Sequence, residues 1–159
     1  MKSIFCFFVL IFITVPVFSQ NWDWAKSYGM ASDDTGSDIT TDLDGFVYAV
    51  GRSSNGLEFD LDSIYSGCNY LVKLDSLGNE IWVQFIRSQS VSASWMKVAT
   101  DNNNDVYVYD MLGVDTLIVQ HDTLFRSEGN FYTLKFDENG TLLWSKVFGN
   151  AINGGFNNV

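Results

Sequence analysis

The chain has 159 residues, with 19 acidic against nine basic side chains and a formal net charge of −10 at pH 7. Nucleic acids and anionic lipid surfaces bind proteins with a basic surface, so this charge argues against both as partners. An acidic surface favours solubility, and it identifies no particular ligand. The length predicts one modest domain, whose partner we expect to be an unidentified protein or glycan.

Residues 1–19 predict a secretory signal peptide with cleavage before Gln20. Lys2 supplies the positive charge, residues 4–18 form an apolar run, and Ser19 is a small residue at the cleavage position. The apolar run of about 15 residues is shorter than the roughly 20 that a membrane-spanning helix needs. We therefore expect a secreted or cell-surface protein with no membrane insertion after cleavage.

Cleavage would also change the charge and the cysteine content of the chain. Without Lys2, eight basic residues face 19 acidic ones, a formal charge of −11. Cys6 leaves with the signal, so Cys68 is the single remaining thiol and no disulfide within the mature chain is possible. Nothing in the sequence around Cys68 predicts a lowered thiol pKa, and we interpret this residue as incidental.

Three tryptophan segments repeat at nearly one spacing. They are WAKSYG from Trp24, WVQFIR from Trp82 and WSKVFG from Trp144, which are 58 and 62 residues apart. Two further pairs keep similar offsets, of 62 and 59 residues: Lys73 with Lys135, and Tyr48 with Tyr107. Several independent anchors at one offset indicate a tandem repeat of about 60 residues.

Apolar and polar residues alternate with a period of two inside each repeat, as they do in half-buried strands. β-branched and aromatic residues dominate these runs, and Gly, Asn, Asp and Ser cluster between them. The pattern predicts four strands per repeat, near 38–42, 46–52, 69–75 and 80–86, and near 95–101, 105–111, 130–137 and 142–148. The longer segments between the second and third strands have room for a further short extended piece.

The two ends predict partial repeats. Residues 21–29 match a fourth strand without its three partners, and residues 152–159 match the start of a further repeat. We therefore expect an orphan outer strand at 21–29, one blade-like sheet at 38–86, a second at 95–148, and the beginning of another.

Two acidic segments resemble calcium loops. Such loops place oxygen ligands at positions one, three and five, Gly at six and Glu at twelve. Asp42 and Asp44 fit positions one and three, but Gly45 comes early, at position four, with Phe46 at position five and Ser53 at position twelve. The second segment fits at Asp101, Asn103 and Asp105, but has Val106 in place of Gly and Leu112 in place of Glu. We interpret both as connecting turns, with calcium binding as the alternative, because Asp, Asn and Gly favour such turns.

Other candidate residues are few. Tryptophans could stack on sugars, but one Trp per repeat at the same strand position favours packing between neighbouring sheets. His121 is the only histidine, so the sequence has too few histidines for a His-rich metal site and only one candidate for a Ser-His-Asp triad. Asp33 and Asp34 are interpreted as a solvated acidic loop. We assign no catalytic, cofactor-binding or metal-binding residue and expect no cofactor.

The repeat resembles the SBBP family, the seven-bladed β-propeller repeats of exported bacterial proteins. The resemblance covers residues 21–159. It is carried by Trp24, Gly29, Asp42, Gly45, Tyr48, Gly51, Lys73, Asp75, Gly78 and Trp82, and by Asp101, Tyr107, Lys135, Asp137, Gly140 and Trp144. The second repeat departs from the pattern, because Asn104-Asp105 replaces Asp44-Gly45 and Asp110 or Met111 replaces Gly51.

The resemblance implies an all-β fold of four-stranded antiparallel β-propeller-type blades, with about two blades present. A propeller protects its sheet edges by closing into a ring, which two blades cannot do. We therefore expect a fragment of a longer propeller; the alternatives are a small two-sheet sandwich or closure by association between chains. A signal ending in FSQ before Asn- and Asp-rich repeats also resembles exported proteins of Bacteroidetes-type bacteria.

Two functional hypotheses follow. The first is an exported, non-enzymatic binding or surface scaffold, because the chain consists almost entirely of repeat-defining residues. The alternative is a fragment of a carbohydrate-active propeller enzyme, a hydrolase or lyase, whose catalytic residues lie outside this chain. The fold alone does not separate the two hypotheses.

Overall fold

The computed structural model describes residues 23–30, 33–88, 95–113 and 115–149. The predicted signal peptide and the predicted start of a further repeat at 152–159 lie outside these residues. The described chain forms twelve strands and one short 3₁₀ turn at Arg126–Glu128. No helix within these ranges is long and apolar enough to cross a membrane. The all-β prediction is therefore confirmed.

The first blade consists of four antiparallel strands, each hydrogen-bonded to the next, within a six-stranded sheet. Its strands are β1 (Asp34–Thr41), β2 (Val47–Ser53), β5 (Cys68–Leu74) and β6 (Glu80–Ser88). Between β2 and β5 lies a short hairpin of β3 (Leu57–Glu58) and β4 (Ser63–Ile64). This hairpin is the extended piece for which the sequence left room.

The second blade repeats this arrangement. Its strands are β7 (Lys97–Thr100), β8 (Val106–Met111), β11 (Phe131–Phe136) and β12 (Leu142–Phe148). Its inserted hairpin is β9 (Thr116–Val119) and β10 (Asp122–Phe125). This hairpin pairs with β6 of the first blade, with Ile86 opposite Val119. It therefore covers a sheet edge that would otherwise expose unpaired backbone groups.

The predicted strand at 21–29 does not form in its described part. Residues 23–30 have no regular secondary structure. A strand needs a neighbour with which to share backbone hydrogen bonds, and this segment has no third strand of its own blade beside it within the described chain. Trp24 nevertheless occupies a specific site on the first blade, as described below.

The two blades stack face to face over a shared apolar core. The first blade contributes Tyr48, Leu71 and Ile86, and the second contributes residues such as Val108 and Leu134, all of them buried. Burying a side chain of this kind contributes roughly 1.5–3 kcal/mol. A second core lies on the opposite face of the first blade, under the β3–β4 hairpin and residues 23–30. Two stacked blades do not close a ring within the described residues.

Candidate functional site: the contact between the two blades

Four aspartates form the same turn, one before the second strand and one before the fourth strand of each blade. Each carboxylate accepts hydrogen bonds from the backbone N–H groups two and four residues ahead. For Asp42 these donors are Asp44 N at 3.1 Å and Phe46 N at 2.9 Å. The other members are Asp75, Asp101 and Asp137.

The hydrogen bonds in these turns stabilise the ionised carboxylates. The pKa of Asp75 is held below its ordinary value, first by the side chain of Asn79 and then by backbone N–H groups. Desolvation opposes ionisation of Asp101, but bonds from Asn103 N, Asp105 N and the Tyr107 hydroxyl outweigh it and lower its pKa. Both segments that resembled calcium loops are thus turns whose first aspartate binds the chain's own backbone.

Each turn also needs one left-handed residue. Gly45, Gly78 and Gly140 have φ of 84°, 81° and 81°, and Asn104 has 61°. Asn104 is therefore the counterpart of Gly45, which corrects the alignment of Asn104-Asp105 with Asp44-Gly45. Asn is the residue after glycine that best tolerates this conformation. In the described part of the chain, no group of three or more His, Cys, Asp or Glu side chains could hold a metal ion.

Trp82 joins the two blades by packing against the turn glycine of the second blade. A Cβ added to Gly140 would lie 2.9 Å from Cδ2 of the Trp82 ring, which only a glycine permits. The indole N–H of Trp82 donates to the backbone oxygen of Glu138 at 3.0 Å. The repeated tryptophan therefore packs between blades, as the sequence predicted.

Lys73 reinforces the same contact. Its ammonium donates to the Glu138 oxygen at 3.0 Å and lies 4.1 Å from the ring centre of Phe46. Lys73 is only 5% exposed. A buried charge is costly unless it is hydrogen-bonded, and here a backbone carbonyl of the next blade supplies the bond. Tyr48, Lys73 and Trp82 lie side by side across three strands, so one row of side chains makes the contact.

The same row recurs in the second blade as Tyr107, Lys135 and Trp144. Lys135 instead binds within its own blade, 2.7 Å from Asp105 and 3.5 Å from Asp101. The hydrogen bond to Asp105 is the main reason that its pKa is raised well above the ordinary value. Trp144 is 42% exposed. The row is therefore a blade-stacking element, and in the second blade it faces solvent.

Trp24 occupies the corresponding site on the first blade. Its indole N–H donates to Ser76 O at 3.0 Å, and a Cβ on Gly78 would lie 2.7 Å from its ring. Ser76 and Gly78 precede Glu138 and Gly140 by 62 positions each. All three repeated tryptophans are thus placed, two against a turn glycine and Trp144 on the open face.

Asp110 is a contact residue that the sequence analysis did not single out. It is the counterpart of Gly51, and it is 2% exposed at the blade boundary. Its carboxylate accepts the N–H of Trp95 at 3.0 Å and the side-chain amide of Asn69, from the first blade, at 3.4 Å. The only signal in the sequence was the replacement of a repeat glycine by an acid.

The remaining sequence candidates are scattered. His121 is largely exposed, 3.6 Å from Asp122. Asp34 accepts the backbone N–H of Met30 at 2.8 Å, and Asp33 is exposed. Cys68 is buried, and desolvation raises its pKa to about 11, so it is a weak nucleophile at neutral pH. The structure does not bring these residues together.

A small cleft lies between the first strands of the two blades. It measures about 230 Å³ and is lined by Thr35, Gly36, Ser37, Trp95, Met96 and Lys97. Trp95 is 71% exposed beside it, and Lys97 lies 3.7 Å from Asp38. Trp95 does not lie at the repeated tryptophan position. This departure from the repeat is the signal in the sequence that could have identified Trp95 as a candidate site residue.

Comparison with known families agrees with this architecture. Residues 23–58 match the family model described as a beta-propeller repeat, SBBP. The matched segment runs from the residue before Trp24 through β1, β2 and β3. No curated protein matches the chain. The β-propeller-type interpretation of the blades is thus confirmed for the segment that the family model covers.

Proposed function

Because the chain carries an SBBP beta-propeller repeat, we propose that it is an exported, non-catalytic scaffold that presents a binding surface to a protein or glycan. The observation that carries this proposal is that the polar side chains that recur in each repeat form hydrogen bonds within the fold. The aspartates bind their own turns, and Lys73 binds the next blade. Residues used in this way hold the blades together and present a surface.

Catalysis by acid and base would need carboxylates directed at a substrate. A general acid or base must lie within hydrogen-bond reach of the reacting group, in a site that tunes its pKa toward the working pH. The pKa shifts of Asp75 and Asp101 go the other way, toward permanent ionisation. These carboxylates are suited to a structural role.

The cleft beside Trp95 is the binding surface that we propose. Ligand pockets for small molecules measure about 300–1,000 Å³, so a cleft of about 230 Å³ fits one sugar ring or one side chain. An exposed indole offers a face for stacking, and Thr35 and Lys97 offer polar groups beside it. This combination is suited to the end of a glycan or to a protruding peptide loop.

Glycan and peptide arrays probed with the chain beginning at Gln20 test the proposal. Binding is expected, with a loss of about tenfold or more on Trp95→Ala, because stacking contacts of this kind are worth over a kcal/mol. Tyr65→Ala is the matched control, since Tyr65 is 78% exposed and is not among the residues that line the cleft. Equal losses in both variants would contradict the assignment of the cleft.

The same preparation separates the scaffold from the enzyme alternative. Incubation with a polysaccharide library is expected to release no new reducing ends and no unsaturated products. Turnover at enzymatic rates would overturn the non-catalytic proposal. Export is tested by fractionating cells that express the chain from Met1; a cytoplasmic product that retains residues 1–19 would contradict it.

A further inference from the structure

On the outer face of the second blade, side chains are exposed at positions that are equivalent to covered positions of the first blade. Tyr48, Leu71 and Ile86 are 0% exposed because the second blade covers them. In the second blade, Trp144 and Phe148, the counterparts of Trp82 and Ile86, are 42% and 38% exposed. The strand register places each pair at the same point of its sheet.

This outer face is markedly aromatic. Tyr109, Phe131 and Phe148 form a cluster with ring centroids 5.7–6.1 Å apart. Tyr107 lies 6.1 Å from Trp144 beside this cluster. Tyr109, Trp144 and Phe148 of this face are 37–42% exposed, and exposed apolar side chains that lie together on a protein surface mark an interaction site. Its counterpart in the first blade already is one, because it binds another blade.

Strand β12 repeats the residues by which segment 23–30 binds the first blade. Trp24, Lys26 and Tyr28 have the spacing and character of Trp144, Lys146 and Phe148. The intervening copy matches less well, since Gln84 and Ile86 replace the lysine and the aromatic residue.

Each of the three side chains of segment 23–30 has a defined partner on the first blade. Trp24 binds Ser76 O, and Lys26 lies 2.7 Å from the Asp60 carboxylate. The ring of Tyr28 lies 4.6 Å from that of Phe59. The docking site for a Trp-x-Lys-x-aromatic segment thus consists of a hydrogen-bond acceptor, a carboxylate and an aromatic ring.

We propose that the outer face of the second blade binds the first blade of a second copy of this chain, with β12 taking the place of that copy's residues 23–30. Trp144 then packs against Gly78, Lys146 meets Asp60, and Phe148 packs against Phe59. Segment 23–30 holds its site by side chains and forms no strand, so few backbone hydrogen bonds oppose its displacement.

Such a contact joins different surfaces of the two copies. Head-to-tail contacts of this type build closed rings or open filaments, depending on the rotation between copies. The blades would then stack from one chain to the next, and the contact between chains would be of the same kind as the contact of β6 with the second blade. This inference goes beyond the proposed scaffold function, because it requires neither export nor a ligand.

Sedimentation velocity over a range of concentrations, with the chain beginning at Gln20, tests the proposal. Reversible association is expected. Trp144→Ala should weaken it by about thirtyfold or more, as the loss of a central interface tryptophan does. Trp24→Ala should strengthen it, because the docking site is vacated. His121→Ala is the control, since the His121 side chain is 68% exposed in the turn between β9 and β10 and should leave association unchanged.

Cross-linking between two variants identifies the contact itself. One chain carries Lys146→Cys and the other carries Asp60→Cys, and the two are mixed under mild oxidation. The buried Cys68 has a raised pKa and should not compete. A disulfide-linked pair is expected, well above the yield with Asp115→Cys in place of Asp60→Cys.

The opposite results are equally definite. A chain that stays monomeric at every concentration, in the wild type and in Trp24→Ala, overturns the proposal and leaves the face to another occupant, such as a blade of a longer polypeptide. Association that persists in Trp144→Ala, or equal cross-linking with Asp115→Cys, also overturns it.

Discussion

Trp82 of the first blade and Gly140 of the second are in direct contact, with the tryptophan ring occupying the space that a Cβ on residue 140 would need. Gly140 also has a φ of 81°, which side-chain-bearing residues rarely adopt. One glycine therefore satisfies two demands, the turn and the blade contact. This relationship recurs between Trp24 and Gly78, where a Cβ on the glycine would lie 2.7 Å from the tryptophan ring.

Gly140→Ala should destabilise the protein by about 2 kcal/mol or more, since left-handed strain and overpacking against Trp82 act together. Urea unfolding followed by tryptophan fluorescence measures the loss. Gly36→Ala is the control, because a Cβ there meets nothing within 4 Å. Equal effects of the two substitutions would show that the Trp82 contact does not limit stability.

Lys73→Met should lower the free energy of unfolding by about 1.5–3 kcal/mol, the range for hydrogen bonds that involve a charged group. The change removes the bond to Glu138 O and the contact with Phe46 while keeping the apolar stem. Lys97→Met is the control, because the Lys97 side chain is 64% exposed and its ion pair with Asp38 is weak. A Lys73 variant as stable as the Lys97 variant would refute an energetic role for this bond.

Acid should destabilise the fold through the turn aspartates. The folded-state pKa values of Asp75 and Asp101 lie below those of the unfolded chain. Their stabilisation is therefore complete above the unfolded carboxyl pKa of about 4 and is lost as the pH falls through the lower folded values. Unfolding midpoints measured from pH 7 to pH 2 should fall below about pH 4.

The variant Asp75→Asn isolates one of these groups. It should be less stable than the wild type at pH 7, and its stability should depend less on pH in the acid range, because one ionising turn has been removed. If the wild type and Asp75→Asn lost stability in parallel on acidification, the Asp75 turn would not contribute to the acid response.

Cys68 should resist alkylation in the folded protein. Desolvation raises its pKa to about 11, so that at pH 8 only about one thiol in a thousand is ionised. Labelling of the chain beginning at Gln20 with iodoacetamide should be slow in buffer and become fast in urea. Rapid labelling without urea would show that the β5 region opens readily.

Local sequence patterns determined the strands and the turns. Alternation with a period of two placed all eight blade strands to within a few residues, because each strand exposes one face and buries the other. The D-x-x-G pattern likewise fixes its own turn, since Asp75 accepts N–H groups only two and four residues away. The match of Trp24, Trp82 and Trp144 indicated that blades follow one another.

Long-range relationships were decided only by the tertiary structure. The sequence did not show that the β9–β10 hairpin joins the sheet of the first blade, or that Lys73 donates to Glu138, 65 residues away. It also gave Trp24 a strand that does not form, because a strand requires a partner and the pattern of one segment does not reveal whether a partner is present. Periodicity reports which side of a strand is apolar, whereas the identity of what covers that side depends on how distant segments pack.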